Sequence, residues 1–123
     1  WTFDVAGLSD ADLMQLKQKC QEQRYSFTYS SVQCHIKPQG QDKATGLKTV
    51  IAQYFPNLTP AEILTIGDSP NDESLFNPQL FPLSVGVANI EHYTEQLMHT
   101  PQYITEAAEG KGFCELVNYL ISH

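Results

Sequence analysis

Two rhythms of apolar and polar positions divide the chain. In the first stretch, Leu13, Leu16 and Cys20 recur at helical spacing. Ser9 precedes them as a cap, Asp10 and Asp12 fall in the first turn, and Arg24 sits near the end. This predicts an amphipathic helix over 10–24. From Ser26 to Ile36 the period falls to two: Phe27 and Tyr29, then Val32, Cys34 and Ile36, alternate with polar residues. The phase slips at Ser30-Ser31, which fits either a bulged strand or a tight pair of strands. Lys37-Pro38-Gln39-Gly40 closes this stretch. An alternating strand beside one amphipathic helix implies an antiparallel sheet with one covered face.

Beyond Gly40 the rhythm changes. Leu47, Val50, Ile51 and Tyr54 mark a second amphipathic helix that stops before Pro56. Ile63-Leu64-Thr65-Ile66-Gly67 and Leu83-Ser84-Val85-Gly86-Val87 are short apolar runs of the kind found in buried parallel strands, and Tyr103-Ile104-Thr105 is a third, shorter one. Helical patterns lie around 71–77, 90–98 and 112–121, the last carrying Phe113, Leu116, Val117, Leu120 and Ile121. Alternation of strand and helix predicts an α/β fold with a Rossmann-like parallel sheet. The expected organisation is therefore an α+β piece over 1–40 followed by half of a Rossmann-like domain over 41–123.

Composition narrows the function. The 123 residues hold 7 Lys+Arg against 14 Asp+Glu, a formal charge of −7, with no basic cluster, which argues against nucleic acid as a partner. No apolar run approaches the roughly 18 residues of a membrane span, and no signal peptide is visible. Cys20, Cys34 and Cys114 are odd in number and widely spaced, with no CxxC pair, as expected of a cytoplasmic protein without a disulfide framework. Cys114 reads as a small buried apolar residue. His35, His92, His99 and His123 share no metal-like spacing.

The chemistry concentrates in Thr65-Ile66-Gly67-Asp68-Ser69-Pro70-Asn71-Asp72. A buried strand delivers Gly67, and two carboxylates come next, four residues apart. In a parallel α/β sheet the loop at a strand's carboxyl end faces the ligand crevice. Hard carboxylate oxygens there suit Mg²⁺ together with a substrate phosphate. Taken alone, the same residues also fit a turn and a helix cap. About 25 residues upstream, Lys43 opens the second helix, where the macrodipole disfavours a cation. A bound phosphate accounts for a lysine at that place.

Together these segments resemble the haloacid dehalogenase (HAD) superfamily of phosphatases. Gly67-Asp68-Ser69-Pro70-Asn71-Asp72 matches that family's Gly-Asp-x-x-Asn-Asp. Lys43-Ala44-Thr45-Gly46-Leu47 matches its Lys-Gly-x-Ala-Leu-like pattern with Gly and Ala exchanged. Ser84-Val85-Gly86-Val87-Ala88-Asn89 resembles its next strand and turn, and Tyr103 through Phe113 its last strand and the lead into the final helix. Residues 1–40 look like the closing part of the α+β cap of the subgroup that includes the sucrose-phosphate and Cof-type sugar phosphatases.

The resemblance implies a Mg²⁺-dependent phosphomonoesterase acting on a sugar phosphate or similar small metabolite through an aspartyl-phosphate. It implies Asp68 as a metal ligand, Asp72 as a second ligand or its orienter, and Lys43 as the group that stabilises phosphoryl charge. Ser69 and Asn71 would hydrogen-bond the phosphate or hold Asp68. The family's nucleophile, the first Asp of an Asp-x-Asp at the end of an apolar strand, has no counterpart here. Phe3-Asp4-Val5-Ala6 lacks the second Asp, and Asp10-Ala11-Asp12 lies at a helix start. The chain is thus expected to be the C-terminal portion of a longer protein, inactive alone, with the missing N-terminal half as its partner. The alternative is a non-catalytic α/β interaction module that never had the nucleophile. A phospho-receiver domain fits less well, because an acidic pair after the first strand is absent.

Overall fold

The structure, a computed structural model, describes residues 1–123. It contains two three-stranded sheets. The first is antiparallel in the order β1-β3-β2, with β1 at Thr2–Asp4, β2 at Tyr25–Tyr29 and β3 at Gln33–Pro38. Helix α1 (Asp10–Glu22) lies against one face. The second sheet is parallel in the order β4-β5-β6, with β4 at Leu64–Gly67, β5 at Leu83–Gly86 and β6 at Tyr103–Ile104. Helix α2 (Lys43–Tyr54) precedes it and α3 (Glu109–Ser122) comes after it.

The predicted cap of α1 forms as a reciprocal pair. The Asp12 amide donates to Ser9 Oγ at 3.2 Å, and the Ser9 amide donates to Asp12 Oδ2 at 2.9 Å. The Ser9 hydroxyl, and after it the Ser9 amide, donate to Asp12 Oδ2 and hold the Asp12 carboxyl below its usual range. The helix stops at Glu22, short of the expected 24, because Arg24 adopts a left-handed φ of 61°. The phase slip at Ser30-Ser31 is a tight pair of strands. Ser30 Oγ accepts from the amides of Val32 and Gln33 and turns the chain, so Tyr29 faces Cys34 and Phe27 faces Ile36. Cross-strand partners share a face. These four residues, with Leu13, Leu16 and Cys20 of α1 and Phe3 of β1, form the core of this half. Strand β1 has no signature in the sequence pattern, because three residues are too few to show a period.

The second half departs from the expected helices in one systematic way. The segments with a helical pattern around 71–77 and 90–98 are 3₁₀ turns, Pro70–Phe76 and Ala88–Gln96. Their bonds run back three residues, as from the Asp72 amide to Ser69 O and from the Ile90 amide to Val87 O. Helix α3 begins at Glu109 rather than 112, and Gly112 is its contact point. A Cβ there would lie 2.3 Å from Ala107 O, so only glycine lets the helix approach. That places Gly112, Leu116 and Val117 inward, while Phe113, Leu120 and Ile121 are exposed. Cys114 is exposed too, contrary to the buried position expected, because it points away from the Gly112 contact. Strand β4 is an edge of its sheet, and Val50, Tyr54 and Phe55 at the end of α2 are exposed.

The halves meet above the carboxyl ends of β4 and β5. Tyr29 donates its hydroxyl proton to Gln96 Oε1, and its ring meets Tyr93 edge-on at 6.2 Å. This burial pushes the Tyr29 hydroxyl pKa up. The antiparallel sheet is thereby held over the loop after β4.

Candidate phosphate and metal site

Strand β4 ends at Gly67, whose lack of a side chain shapes the loop beyond it. A Cβ on Gly67 would sit 2.4 Å from Asp72 Cβ. Asp72 occupies that space. The 3₁₀ turn begun by Pro70 brings its carboxylate back to the strand end, where Oδ2 accepts from the Asp68 amide at 2.9 Å. The other oxygen, Oδ1, forms the one ion pair of the chain, with the Lys43 ammonium. Asp72 is 5% exposed and Lys43 50%. A buried carboxylate needs such partners, and here both of its oxygens are engaged.

Lys43 reaches the site from the first turn of α2. Asp42 caps that helix, its Oδ1 accepting from the Thr45 amide at 2.7 Å. The Ala44 amide is taken up by Ser74 Oγ at 3.1 Å, which fastens the start of α2 to the turn that carries Asp72. The cation at the helix N-terminus, disfavoured by the macrodipole, is offset by Asp72.

Asp68 is half-buried and turned differently. Its Oδ2 accepts from Asn89 Nδ2 at 3.3 Å, and its Oδ1 lies 3.1 Å from Ser69 Oγ. The Ser69 hydroxyl, 1% exposed, also lies 2.8 Å from Asn71 Oδ1, and its single proton serves one acceptor at a time. Asn89, in the first turn of the 3₁₀ segment after β5, accepts from the Glu109 amide at 3.0 Å, linking Asp68 to the start of α3.

All five residues expected at the site, Lys43, Asp68, Ser69, Asn71 and Asp72, therefore come together at the carboxyl end of β4. The structure adds Asn89 and Ser74. Asn89 closes the Val87-Ala88-Asn89 turn, which is visible as a sequence pattern but carries no charge to mark it as part of a site. Ser74 is one of many serines and has no sequence signal. The donor set is all hard oxygen, which suits Mg²⁺. Each oxygen of both carboxylates has one partner and keeps a lone pair, but Asp68 is half-buried, whereas the Asp72 side chain is 5% exposed and one of its oxygens is taken by the Lys43 ammonium. No group of three or more His, Cys, Asp or Glu side chains gathers here.

On the far side of Lys43 and Asn71 lies a cavity of about 210 Å³, walled by Thr28, His35 and Lys37 of the antiparallel sheet. Lys37 is half-buried there. Burial pushes its pKa down; nearby Asp42 opposes that shift and Lys43 adds to it.

A family model described as haloacid dehalogenase-like hydrolase matches residues 4–115. The chain is 37% identical over 83 residues to the phosphoglycolate phosphatase of Haloarcula marismortui, covering 68% of this chain and 34% of that protein. It is 34% identical over 89 residues to the phosphoglycolate phosphatase of Methanococcoides burtonii, covering 72% and 36%. Among solved structures, the sucrose-phosphatase of Synechocystis sp. PCC6803, in complex with sucrose and phosphate, aligns at a TM-score of 0.71 and 18% identity over 96% of this chain and 50% of that one. The chain thus spans about a third of the length of the curated relatives it matches.

Proposed function

This chain belongs to the haloacid dehalogenase-like hydrolases, and from that premise we propose that it forms part of a Mg²⁺-dependent phosphomonoesterase. Residues 41–123 are read as the C-terminal half of the catalytic domain, and residues 1–40 as the closing part of an α+β cap over it. The observation that carries this reading is the linked trio at the end of β4. Asp72 ties the Lys43 ammonium to the backbone that presents the Asp68 carboxylate.

Each residue then has a task set by its surroundings. The Lys43 ammonium, half-exposed and aimed by Asp72, stabilises charge on the phosphoryl oxygens. Asp68 offers its free lone pairs as a metal ligand, and Asn89 and Ser69 hold it in orientation. Asp72, one of whose oxygens is held by the Lys43 ammonium, serves as a second metal ligand or as the orienter of Lys43 and of the Asp68 backbone. Asn71 can turn a donor toward a phosphate oxygen, while the buried Ser69 hydroxyl stays on Asp68. Mg²⁺, when bound, neutralises phosphate charge beside the nucleophile. The nucleophile is an aspartate from sequence upstream. It attacks phosphorus, the bond to the leaving-group oxygen breaks, and water then hydrolyses the aspartyl-phosphate to aspartate and phosphate. The substrate is a small phosphorylated metabolite, a sugar phosphate or sugar-acid phosphate. The phosphoglycolate phosphatases among the relatives fit that class. Exposed apolar residues on α2 and the open edge of β4 supply a surface for the missing half of the same protein. Residues 1–123 alone are inactive in this reading.

The test is phosphate release by the full-length protein from a panel of phosphomonoesters. Activity that requires Mg²⁺ and is abolished by EDTA is expected. No release from any member, with Mg²⁺ present, overturns the proposal.

A further inference from the structure

We propose that Tyr29 is a positioning residue: through Gln96 it fixes how far the antiparallel sheet stands above the loop that carries Asp68 and Asp72, and so how closely that sheet meets the organic part of a bound phosphomonoester. This rests on the phosphatase reading above and deepens it.

The directional contacts between the two halves converge on this one side chain. The bond from the Tyr29 hydroxyl to Gln96 Oε1 is the one side-chain hydrogen bond between residues 1–40 and 41–123. The edge-on pair of Tyr29 with Tyr93 is the one aromatic contact between them. The ion pair of Lys43 with Asp72 lies within the second half. On its own side the Tyr29 ring is held against Phe27, at 6.1 Å between centroids, and packs on the core beneath α1. Packing on both sides fixes the rotamer, so the hydroxyl is aimed at Gln96 in advance.

The place of Tyr29 in its strand makes it the second support of the sheet. The chain leaves β3 at Pro38 and crosses to α2 through the exposed segment 39–42. Pro38 pairs with Tyr25 at one end of the hairpin, and Tyr29 pairs with Cys34 at the other. Four residues at about 3.4 Å each set the two supports about 14 Å apart. On the covalent link alone, a tilt of about 10° would carry the far end about 2 Å over that span. A misplacement of about 1 Å is enough to spoil a reactive geometry. Thr28 and His35, the cross-strand pair beside Tyr29, wall the 210 Å³ cavity that has Lys43 and Asn71 on its other side, so a tilt changes the width of that cavity. Across the interface, the segment that receives Tyr29 is pinned at both ends to the carboxylate loop. At its start Asn89 Nδ2 donates to Asp68 Oδ2 at 3.3 Å. Just past its end the amides of Met98 and His99 donate, at 2.6 and 3.3 Å, to Oε1 of Glu73, the residue after Asp72. Gln96 therefore stands at a set distance from Asp68 and Asp72, and Tyr29 passes that distance on to the sheet. A phosphate at Lys43 meets the second half alone, whereas the organic part of an ester faces the sheet.

The experiment uses the full-length protein with Mg²⁺ and two probes: the ester of the phosphomonoester panel with the highest kcat/KM, and inorganic phosphate as a competitive inhibitor. The readout is KM for the ester against Ki for phosphate, neither of which depends on the fraction of protein that is folded. Tyr29→Phe removes the donor and Gln96→Ala, at an exposed position, removes the acceptor. Each is expected to raise KM about 3- to 10-fold, the range for one neutral hydrogen bond, with Ki within twofold of wild type. The double variant should be no worse than the worse single, because both changes break the same bond. Gln96→Glu keeps an acceptor oxygen and should hold KM near wild type. KM within twofold of wild type in both single variants overturns the inference and leaves the phosphatase reading standing. So does a Ki that rises in step with KM, which would place the effect in the phosphate site itself, or a double variant whose effects multiply. Hydrolysis of no ester of the panel overturns the phosphatase reading and the inference with it.

Discussion

Replacing Asp72 by Asn tests the proposed division of labour in the site. The change keeps the side chain's shape and removes its charge. Asp72 serves two donors, the Asp68 amide at 2.9 Å and the Lys43 ammonium. An amide has one acceptor oxygen and one NH₂, so it can serve only one of them. Losing the bond to the part-buried Asp68 amide costs about 1–3 kcal/mol. Losing the pair with Lys43, which is half-exposed, costs about 1 kcal/mol or less. The oxygen therefore stays with Asp68, and Lys43 is released. For a parent of about 150–250 residues this predicts a melting temperature lower by only about 2–4 °C. The effect on turnover is larger, because Lys43 is no longer aimed. We expect kcat to fall about 10- to 100-fold, with a smaller change in KM, since a misplaced charge acts most in the transition state. The assay is steady-state phosphate release by the full-length protein beside a thermal melt. A large drop in melting temperature with kcat per folded molecule preserved would show that Asp72 does not aim Lys43. So would a variant equal to wild type in both.

Other consequences can be checked the same way. Gly67→Ala puts a Cβ 2.4 Å from Asp72 Cβ and must push the 3₁₀ turn away; a loss of about 1–3 kcal/mol in urea unfolding is expected, and an unchanged midpoint would contradict the contact. Asn89→Ala frees Asp68 Oδ2 and cuts its link to α3; the Mg²⁺ concentration for half-activation should rise about tenfold or more, whereas an unchanged titration would remove Asn89 from the metal's support. The Asp12 carboxyl has a lowered pKa in the folded state, so its contribution is present above its unfolded value of 3.8 and is lost as pH falls through the lower, folded value. Circular dichroism of Asp12→Asn should therefore show a shallower acid-induced loss of helix than wild type, and parallel curves would contradict the cap's role.

The parts legible in the sequence are those that spacing alone determines. Leu13, Leu16 and Cys20 give α1 its period, and the apolar runs ending at Gly67 and Gly86 give the parallel strands theirs. The slip at Ser30-Ser31 marks the hairpin but not its form, which depends on the Ser30 hydroxyl bonding two amides. Over two or three turns a 3₁₀ segment and an α-helix show similar apolar patterns, so Pro70–Phe76 and Ala88–Gln96 carry a helical signature without being α-helices. Cys114 defies the buried expectation because the inward stripe of α3 is set by a glycine contact, and a hydrophobic period does not register glycine. In the site, Lys43, Asp68 and Asp72 stand out as charges at element ends. The difference between the two carboxylates does not, because it arises from the clash that Gly67 avoids and from the donors Asp72 meets. Lys37 and Thr28 are unmarked, since only the pairing of β2 with β3 turns them toward Lys43.

The most direct test of a phosphoryl-transfer site at the end of β4 is Mg²⁺-dependent phosphate release by the full-length protein and its Asp68→Asn variant, with a thermal melt as control. If Asp68 is the metal-binding carboxylate of that site, the variant should lose about 10²–10³-fold in kcat, the size of effect seen when one electrostatic stabiliser is removed, and melt within a few degrees of wild type. A variant that turns over within twofold of wild type at every Mg²⁺ concentration would contradict that role for Asp68 and, with it, the site.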